Sequence, residues 1–260
     1  MEKNDRLSEN ELERYSRQLM LGEIGSDGQL KLKNSRVLIV GAGGLGSPAA
    51  MYLAGAGVGN IGIIDADTVS LSNLQRQIMH NEEREGINKS LSARRTLEAL
   101  NGNITVEAYP CELTAENAAD IIEGFDFVLD CTDNFETKFL INDMCVLLGK
   151  PFCHGGIQEF SGQVMTYACG DEPCYRCIFG DVPDSDSVPR PSTKGVIGAV
   201  AGVIGSIQAL EAVKYLTGAG ELLTGRMLIF DALRMTARTV RFHGKNENCS
   251  VCRTAAGLME

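Results

Sequence analysis

Three groups of residues in this sequence have the types and spacing to do chemistry. Gly41, Gly43 and Gly46 belong to GAGGLG (residues 41–46), which follows directly on the apolar run VLIV. In that pattern the first glycine permits a tight turn, the second lets the backbone approach a phosphate, and the third lets a helix pack close to the strand. Gly44 lies on the same loop, and the helix expected next points its N-terminus at the anion. About 20 residues further on, Asp65 ends a second apolar run, where a carboxylate accepts hydrogen bonds from ribose hydroxyls. These features predict an adenine-nucleotide site. A nicotinamide dehydrogenase would carry them too, and glycines in such a turn can serve packing alone.

A cationic segment separates the candidates. Ser72, Asn73, Arg76 and Gln77 lie in SLSNLQRQ, and Lys89 follows in a further loop or helix start. Hydride transfer has no use for several cations beyond the pyrophosphate-binding helix end. Attack on phosphorus does, because negative charge gathers on the α-phosphate oxygens and on the leaving pyrophosphate. Solvated surface charge is the alternative reading of Arg76 and Lys89. Asp133, in DCTDN after another buried strand, falls at the sheet edge where open α/β sheets bind ligands. A carboxylate beside a triphosphate requires a cation between them, and magnesium is the natural one. Asp133 and Asn134 also have the right types to cap the helix expected next.

The third group is sulfur. Cys174 and Cys177 (CYRC) are matched by Cys249 and Cys252 (CSVC), four thiolates that suit a tetrahedral structural zinc site. A redox CxxC is the rival for either pair taken alone. Cys111, Cys131, Cys145, Cys153 and Cys169 sit in or beside apolar runs, and most of them read as core residues. His80, His154 and His243 are widely separated, form no ligand or triad spacing, and read as structural.

The elements that must position these groups alternate. Apolar runs at 37–40, 61–64, 104–108, 125–129 and 151–153 read as strands, with helices at 45–54, 90–100 and 137–148 between them. The expectation is a doubly wound, mostly parallel Rossmann-like α/β sheet, extended by antiparallel strands at 162–169 and 236–242. The chain is taken as one domain, 1–260, with an N-terminal helical arm over 8–21. On that arm Ser8 and Glu11 form a capping box, and Leu12, Tyr15 and Leu19 share a face. Residues 181–194, DVPDSDSVPRPSTK, hold too few apolar side chains to offset the cost of ordering and are expected to be a mobile loop. Residues 195–210 are uncharged, with Gly198 and Gly202 at GxxxG spacing, but the run is short of a membrane span. Glu211 and Lys214 follow at once, so a buried helix or subunit interface is expected.

Composition narrows the classes. With 44% hydrophobic residues in 260, the chain is globular rather than disordered, and a net charge of −10 disfavours a sequence-independent grip on nucleic acid. An odd count of nine cysteines and an N-terminus without an apolar signal region lead to the expectation of a reducing cytoplasm and no membrane.

Together RYSRQ (residues 14–18), GAGGLG, the DAD at 65–67, SLSNLQRQ, Lys89, DCTDN and the paired CxxC motifs resemble the ThiF/MoeB/HesA family, bacterial relatives of ubiquitin-activating enzymes. The resemblance spans about residues 8–252. It implies ATP- and magnesium-dependent adenylation of the C-terminal glycine carboxylate of a ubiquitin-like sulfur carrier ending in Gly-Gly, with release of pyrophosphate, in molybdopterin or thiamine biosynthesis. It further implies that Gly44 and its neighbours line the phosphates, that Asp65 with Asp67 serves the ribose end, and that Asn73, Arg76 and Lys89 bind phosphate oxygens. Asp133 would position magnesium. Arg17 resembles the family arginine that reaches the partner subunit's active site in a homodimer. One departure matters: many members carry a cysteine in the crossover loop a few residues before a GV dipeptide, whereas here no cysteine falls between Cys177 and Cys249. The expectation is an enzyme that stops at the acyl-adenylate and leaves sulfur insertion to another protein. The readings from other classes are a nicotinamide-dependent dehydrogenase and a zinc-stabilised module without catalysis.

Overall fold

The computed structural model describes residues 6–182 and 195–258, with side chains as far as Ala255. The expected mobile loop at 181–194 lies outside the described residues apart from Asp181 and Val182. From the N-terminus the elements are α1 (Glu9–Arg14), α2 (Ser16–Leu19), α3 (Gly25–Lys33), β1 (Arg36–Val40), α4 (Gly46–Ala56), β2 (Asn60–Ile64), α5 (Lys89–Leu100) and β3 (Thr105–Tyr109). There follow α6 (Ala118–Glu123), β4 (Phe127–Asp130), α7 (Phe135–Leu147), β5 (Phe152–Gln158), β6 (Ser161–Tyr167) and α8 (Tyr175–Phe179). The last are α9 (Gly198–Thr217), β7 (Arg226–Asp231), β8 (Thr236–Arg241) and α10 (Ser250–Leu258).

The eight strands form one sheet in the order β3-β2-β1-β4-β5-β6-β7-β8. β3 to β5 run parallel and β5 to β8 antiparallel, as the sequence pattern leads one to expect. β7 links the two antiparallel strands read from the sequence and was not itself expected. Successive residues of a strand face opposite ways, so β1 feeds two cores. Val37 and Ile39 pack with α3, α4, α5 and α9 on one face, and Leu38 and Val40 with α6, α7 and α10 on the other. Each fully buried aliphatic side chain there contributes about 1.5–3 kcal/mol.

α9 is the apolar helix read from residues 195–210. It is long and apolar enough to cross a membrane; here one side packs on α4, β5 and β6, while Val203, Leu210 and Tyr215 on it are exposed. Its Glu211 is buried and accepts hydrogen bonds from Thr166 Oγ1 at 2.6 Å and Leu223 N at 2.7 Å. The close approaches are made by Gly205, against the Leu45 carbonyl and Pro48, and by Gly198, against Gln75 and Arg76. Gly202 faces open space, so the GxxxG spacing picked only one of the two glycines that matter.

The arm also differs from expectation. The capping box is present, with Ser8 N donating to Glu11 Oε2 at 2.8 Å and Glu11 N to Ser8 Oγ at 3.3 Å. The helix then breaks at Tyr15 (φ −96°, ψ 11°). That ring is buried and its hydroxyl accepts from Asn101 Nδ2 at 2.9 Å, whereas Leu12 is 45% exposed.

Candidate active site

The order of the parallel strands reverses between β1 and β4, which puts a crevice at their C-terminal ends. A cleft of about 1200 Å³ lies there. Gly41 takes φ +99°, and a Cβ on it would sit 2.7 Å from the Cys131 carbonyl oxygen. A Cβ on Gly46 would collide with the Gly41 carbonyl. Gly43 is different: a Cβ there would meet only Gln77 Nε2, at 3.6 Å, and would otherwise project into the cleft. The first and third glycines thus build the loop, and the second keeps its surface open for an anion at the start of α4.

The loop is held from below. His80 Nε2 lies 2.9 Å from the Ala42 carbonyl and Nδ1 lies 2.9 Å from Ser92 Oγ. The carbonyl can only accept, so Nε2 carries the proton and Ser92 donates to Nδ1. Burial holds the His80 imidazole below its ordinary range. Asp65 accepts from Ala42 N at 2.7 Å and from Asp67 N at 2.9 Å. Burial raises its carboxyl, opposed by the nearby Lys89 ammonium. The ribose residue of the sequence reading therefore also ties the phosphate loop to the end of β2.

Lys89 opens α5, where Asn88 caps by accepting from Ser90 N and Leu91 N. Its side chain is 7% exposed and its Nζ lies 2.8 Å from Asp67 Oδ2, whose side chain is 74% exposed. This is a buried cation facing the cleft with a solvent-held partner that an incoming phosphate can replace. Arg76 also lines the cleft, its Nη1 donating to Ser72 O at 3.3 Å. Gln77 is 4% exposed, and its Oε1 has no partner among the described residues. Ser72 and Asn73 shape the turn that carries Arg76 and are not among the cleft-lining residues. Ser72 Oγ pairs with Ser70 Oγ at 3.1 Å, and the Asn73 carbonyl accepts from Arg76 N and Gln77 N.

Asp133 and Asn134 both line the cleft just past β4. Asn134 is the cap of α7, its Oδ1 accepting from Thr137 N at 2.8 Å. Asp133 is exposed and paired with no described residue, so it is free to hold a cation. Arg17, on α2, is exposed and does not line the cleft.

The four cysteines converge as their spacing implies. Their sulfurs lie within 4.8 Å of one another, with Cys174–Cys177, Cys174–Cys249, Cys177–Cys252 and Cys174–Cys252 separations of 3.7, 3.8, 3.6 and 3.5 Å. Four sulfurs about 2.3 Å from a central ion define a tetrahedron with edges of about 3.8 Å, so the cluster fits zinc. Asn246 N points to Cys177 Sγ at 3.4 Å, the kind of donor that steadies a thiolate ligand.

One constellation in the cleft is not foreshadowed by any sequence motif. Asp130, at the end of β4, is 1% exposed and takes Lys138 Nζ at 3.1 and 3.2 Å, Thr132 Oγ1 at 2.7 Å and His154 Nδ1 at 2.8 Å. Burial alone would raise its carboxyl. The Lys138 ammonium and the His154 hydrogen bond outweigh that and hold it well below the usual carboxylate range. His154 lines the cleft rather than merely filling the core, beneath the Tyr175 ring at 4.6 Å between centroids.

The ThiF family profile matches residues 15–251. A protein of Dictyostelium discoideum named adenylyltransferase and sulfurtransferase MOCS3 is 48% identical over 251 residues, covering 96% of this chain and 59% of that protein. One of the same name from Drosophila sechellia is 49% identical over 247 residues, covering 95% and 54%. The chain therefore spans just over half the length of these curated relatives. Among solved structures, E. coli MccB with MccA-N7isoASN aligns with a TM-score of 0.81 at 25% identity, over 92% of this chain and 74% of that one. E. coli MccB with ATP has the same fold, with a TM-score of 0.82 at 24% identity over 96% and 76%. Because the profile runs from Tyr15 on the arm, through the phosphate loop and Asp133, to Val251 between the last two cysteines, the chain belongs to the ThiF family.

Proposed function

We propose that this chain adenylates the C-terminal glycine carboxylate of a small ubiquitin-like sulfur carrier of the molybdopterin or thiamine type, using ATP and releasing pyrophosphate. One observation carries the reading: a single cleft joins the phosphate loop, the cations Arg76 and Lys89 and the unpaired Asp133, and continues onto the face of β5 and β6. A nicotinamide site would need neither the two cations nor a free carboxylate beside the phosphates.

A carboxylate oxygen of the carrier attacks the α-phosphorus. The bond from that phosphorus to the bridging oxygen breaks, and the electron pair leaves with pyrophosphate. The nucleophile is already ionised at neutral pH, so no general base is required, and positioning with charge stabilisation does the catalytic work. Lys89 and Arg76 balance the charge that develops on the transferring and leaving phosphates. Magnesium held by Asp133 would neutralise phosphate oxygens during the displacement. Gly43 leaves the loop surface bare for the triphosphate, and Asp65 serves the ribose.

The functional unit in this reading is a homodimer in which Arg17 completes the partner subunit's site. Its position outside its own cleft supports this, as does the exposed apolar surface beside it, with Met20 at 75% and Leu21 at 50%. With no cysteine between Cys177 and Cys249, the product of this site is the acyl-adenylate, and sulfur insertion is left to a cysteine outside this loop.

Carrier-dependent exchange of labelled pyrophosphate into ATP tests the reading. Exchange is expected with a Gly-Gly carrier and lost in Asp133→Ala, which keeps its fold because Asp133 has no partner to lose among the described residues. Absence of exchange with every such carrier of the host, or a nicotinamide-dependent absorbance change instead, would overturn it.

A further inference from the structure

Beyond the phosphate loop the cleft runs over the paired strands β5 and β6, where Gly156 stands opposite Gln163. His154 lies two residues along β5 from Gly156 and so faces the same way. His154 Nδ1 is 2.8 Å from Asp130 Oδ2, and Nε2 is 3.3 Å from the Gln163 side-chain amide. Asp130 is ionised and can only accept, so Nδ1 carries the proton. Burial and the neighbouring Lys138 hold the His154 imidazole below its ordinary range and hence neutral, which makes Nε2 an acceptor. The Gln163 atom facing it must then be the amide nitrogen, and the orientation that is ordinarily ambiguous for a glutamine is fixed by its surroundings.

That chain of hydrogen bonds leaves the Gln163 carbonyl oxygen as the group without a partner among the described residues, in a half-buried residue that lines the cleft. Gly156 leaves the facing position bare. A Cβ there would sit 3.3 Å from Gln163 Nε2 and 3.4 Å from His154 Nε2, wedged into the contact that fixes the amide. A strip of floor without a side chain, flanked by one fixed carbonyl acceptor, suits an extended main chain of small residues. Its N–H is the donor the acceptor lacks, and a side chain on that segment would meet Gln163.

We propose that Gln163 is a specificity-determining residue that accepts a hydrogen bond from a main-chain N–H within the last two residues of the carrier's glycine tail, with His154 and Asp130 as the positioning residues that fix its amide. The proposal rests on the adenylation reading given above. It asks the protein to recognise the tail through backbone, which is what a Gly-Gly terminus offers.

The test uses the full chain with semisynthetic carriers bearing N-methylglycine at the last or at the penultimate position, read by pyrophosphate exchange. For the native enzyme, one of the two N-methyl carriers is expected to show a KM raised about 5- to 10-fold. Gln163→Ala is expected to raise the KM for the unmodified carrier by a similar factor, with kcat at saturating carrier and the KM for ATP retained, and to respond no further to N-methylation. His154→Phe keeps an aromatic ring under Tyr175 and is expected to raise the carrier KM in the same way. Equal KM values for all three carriers with the native enzyme would overturn the inference while leaving adenylation standing. An N-methyl effect that persists undiminished in Gln163→Ala would overturn it also. Absence of exchange by the native enzyme with every carrier would remove the adenylation reading and this inference with it.

Discussion

Lys138→Met is the most demanding test of how the site is held. In the native chain the Asp130 side chain is 1% and that of Lys138 8% exposed, and the ammonium lies 3.1 and 3.2 Å from the two carboxylate oxygens. Removing it leaves a buried carboxylate supported only by Thr132 and His154. The cost expected for a buried charge stripped of its partner is about 3–5 kcal/mol. For a chain of this size that corresponds to a melting temperature lower by roughly 6–20 °C. The sign of the pH dependence follows from Asp130. A carboxyl held below its unfolded value contributes stability that is full above that value and lost as pH falls through the lower folded one. Without Lys138, burial becomes the dominant influence and raises the carboxyl, so the gap between native and variant protein is widest at neutral pH and narrows below about pH 5. Thermal unfolding of zinc-loaded protein followed by circular dichroism measures this. Adding Asp130→Asn to the variant removes the stranded charge and should recover at least half of the lost melting temperature. A single variant melting within 2 °C or so of the native chain, or a double variant no better than the single, would refute the reasoning.

Gly41→Ala and Gly43→Ala should separate structure from ligand binding. The first sets a methyl against the Cys131 carbonyl at positive φ and is expected to lower the melting temperature clearly, whereas the second should keep its stability within about 0.5 kcal/mol of native and raise the KM for ATP on the order of tenfold. Cys252→Ser should drop bound zinc, measured by elemental analysis, well below the one ion per chain expected of the native protein, with a lower melting temperature. Arg17→Ala and Asp133→Ala should each be inactive. After subunit exchange a mixture of the two should regain about a quarter of native activity, because half the dimers are mixed and each has one intact site. No recovery despite demonstrated exchange would place Arg17 in its own subunit's chemistry.

The glycine turn, the place of Asp133 at the cleft and the convergence of the four cysteines were legible in the sequence because each depends on local backbone or on ligand chemistry that short spacings express. Gly41, Gly43 and Gly46 even divide their labour as the spacing implies. The Asp130, Lys138, His154 and Gln163 group was not legible, since these residues come from four elements brought together by sheet order and register. No periodicity links a strand end, a helix face and two antiparallel strands. Tyr15 likewise stands at the break between α1 and α2 and is tied to Asn101, a residue far along the chain, which helical spacing cannot register. In α9 the sequence offered several small residues, and only the rotation of the helix against α4 decided that Gly205, rather than Gly202, makes the approach.

Tyr175 lies between two of the cysteines that the cluster draws together, inside the ring that a bound metal would close through Cys174 and Cys177. Its aromatic face covers His154, and its neighbour Arg176 is clamped to Asp143 of α7 at 2.7 and 3.0 Å. Ligation of a metal by Cys174 and Cys177 would therefore pin the short segment that seats Tyr175 on His154, so the cysteine cluster and the floor of the cleft share one stretch of chain.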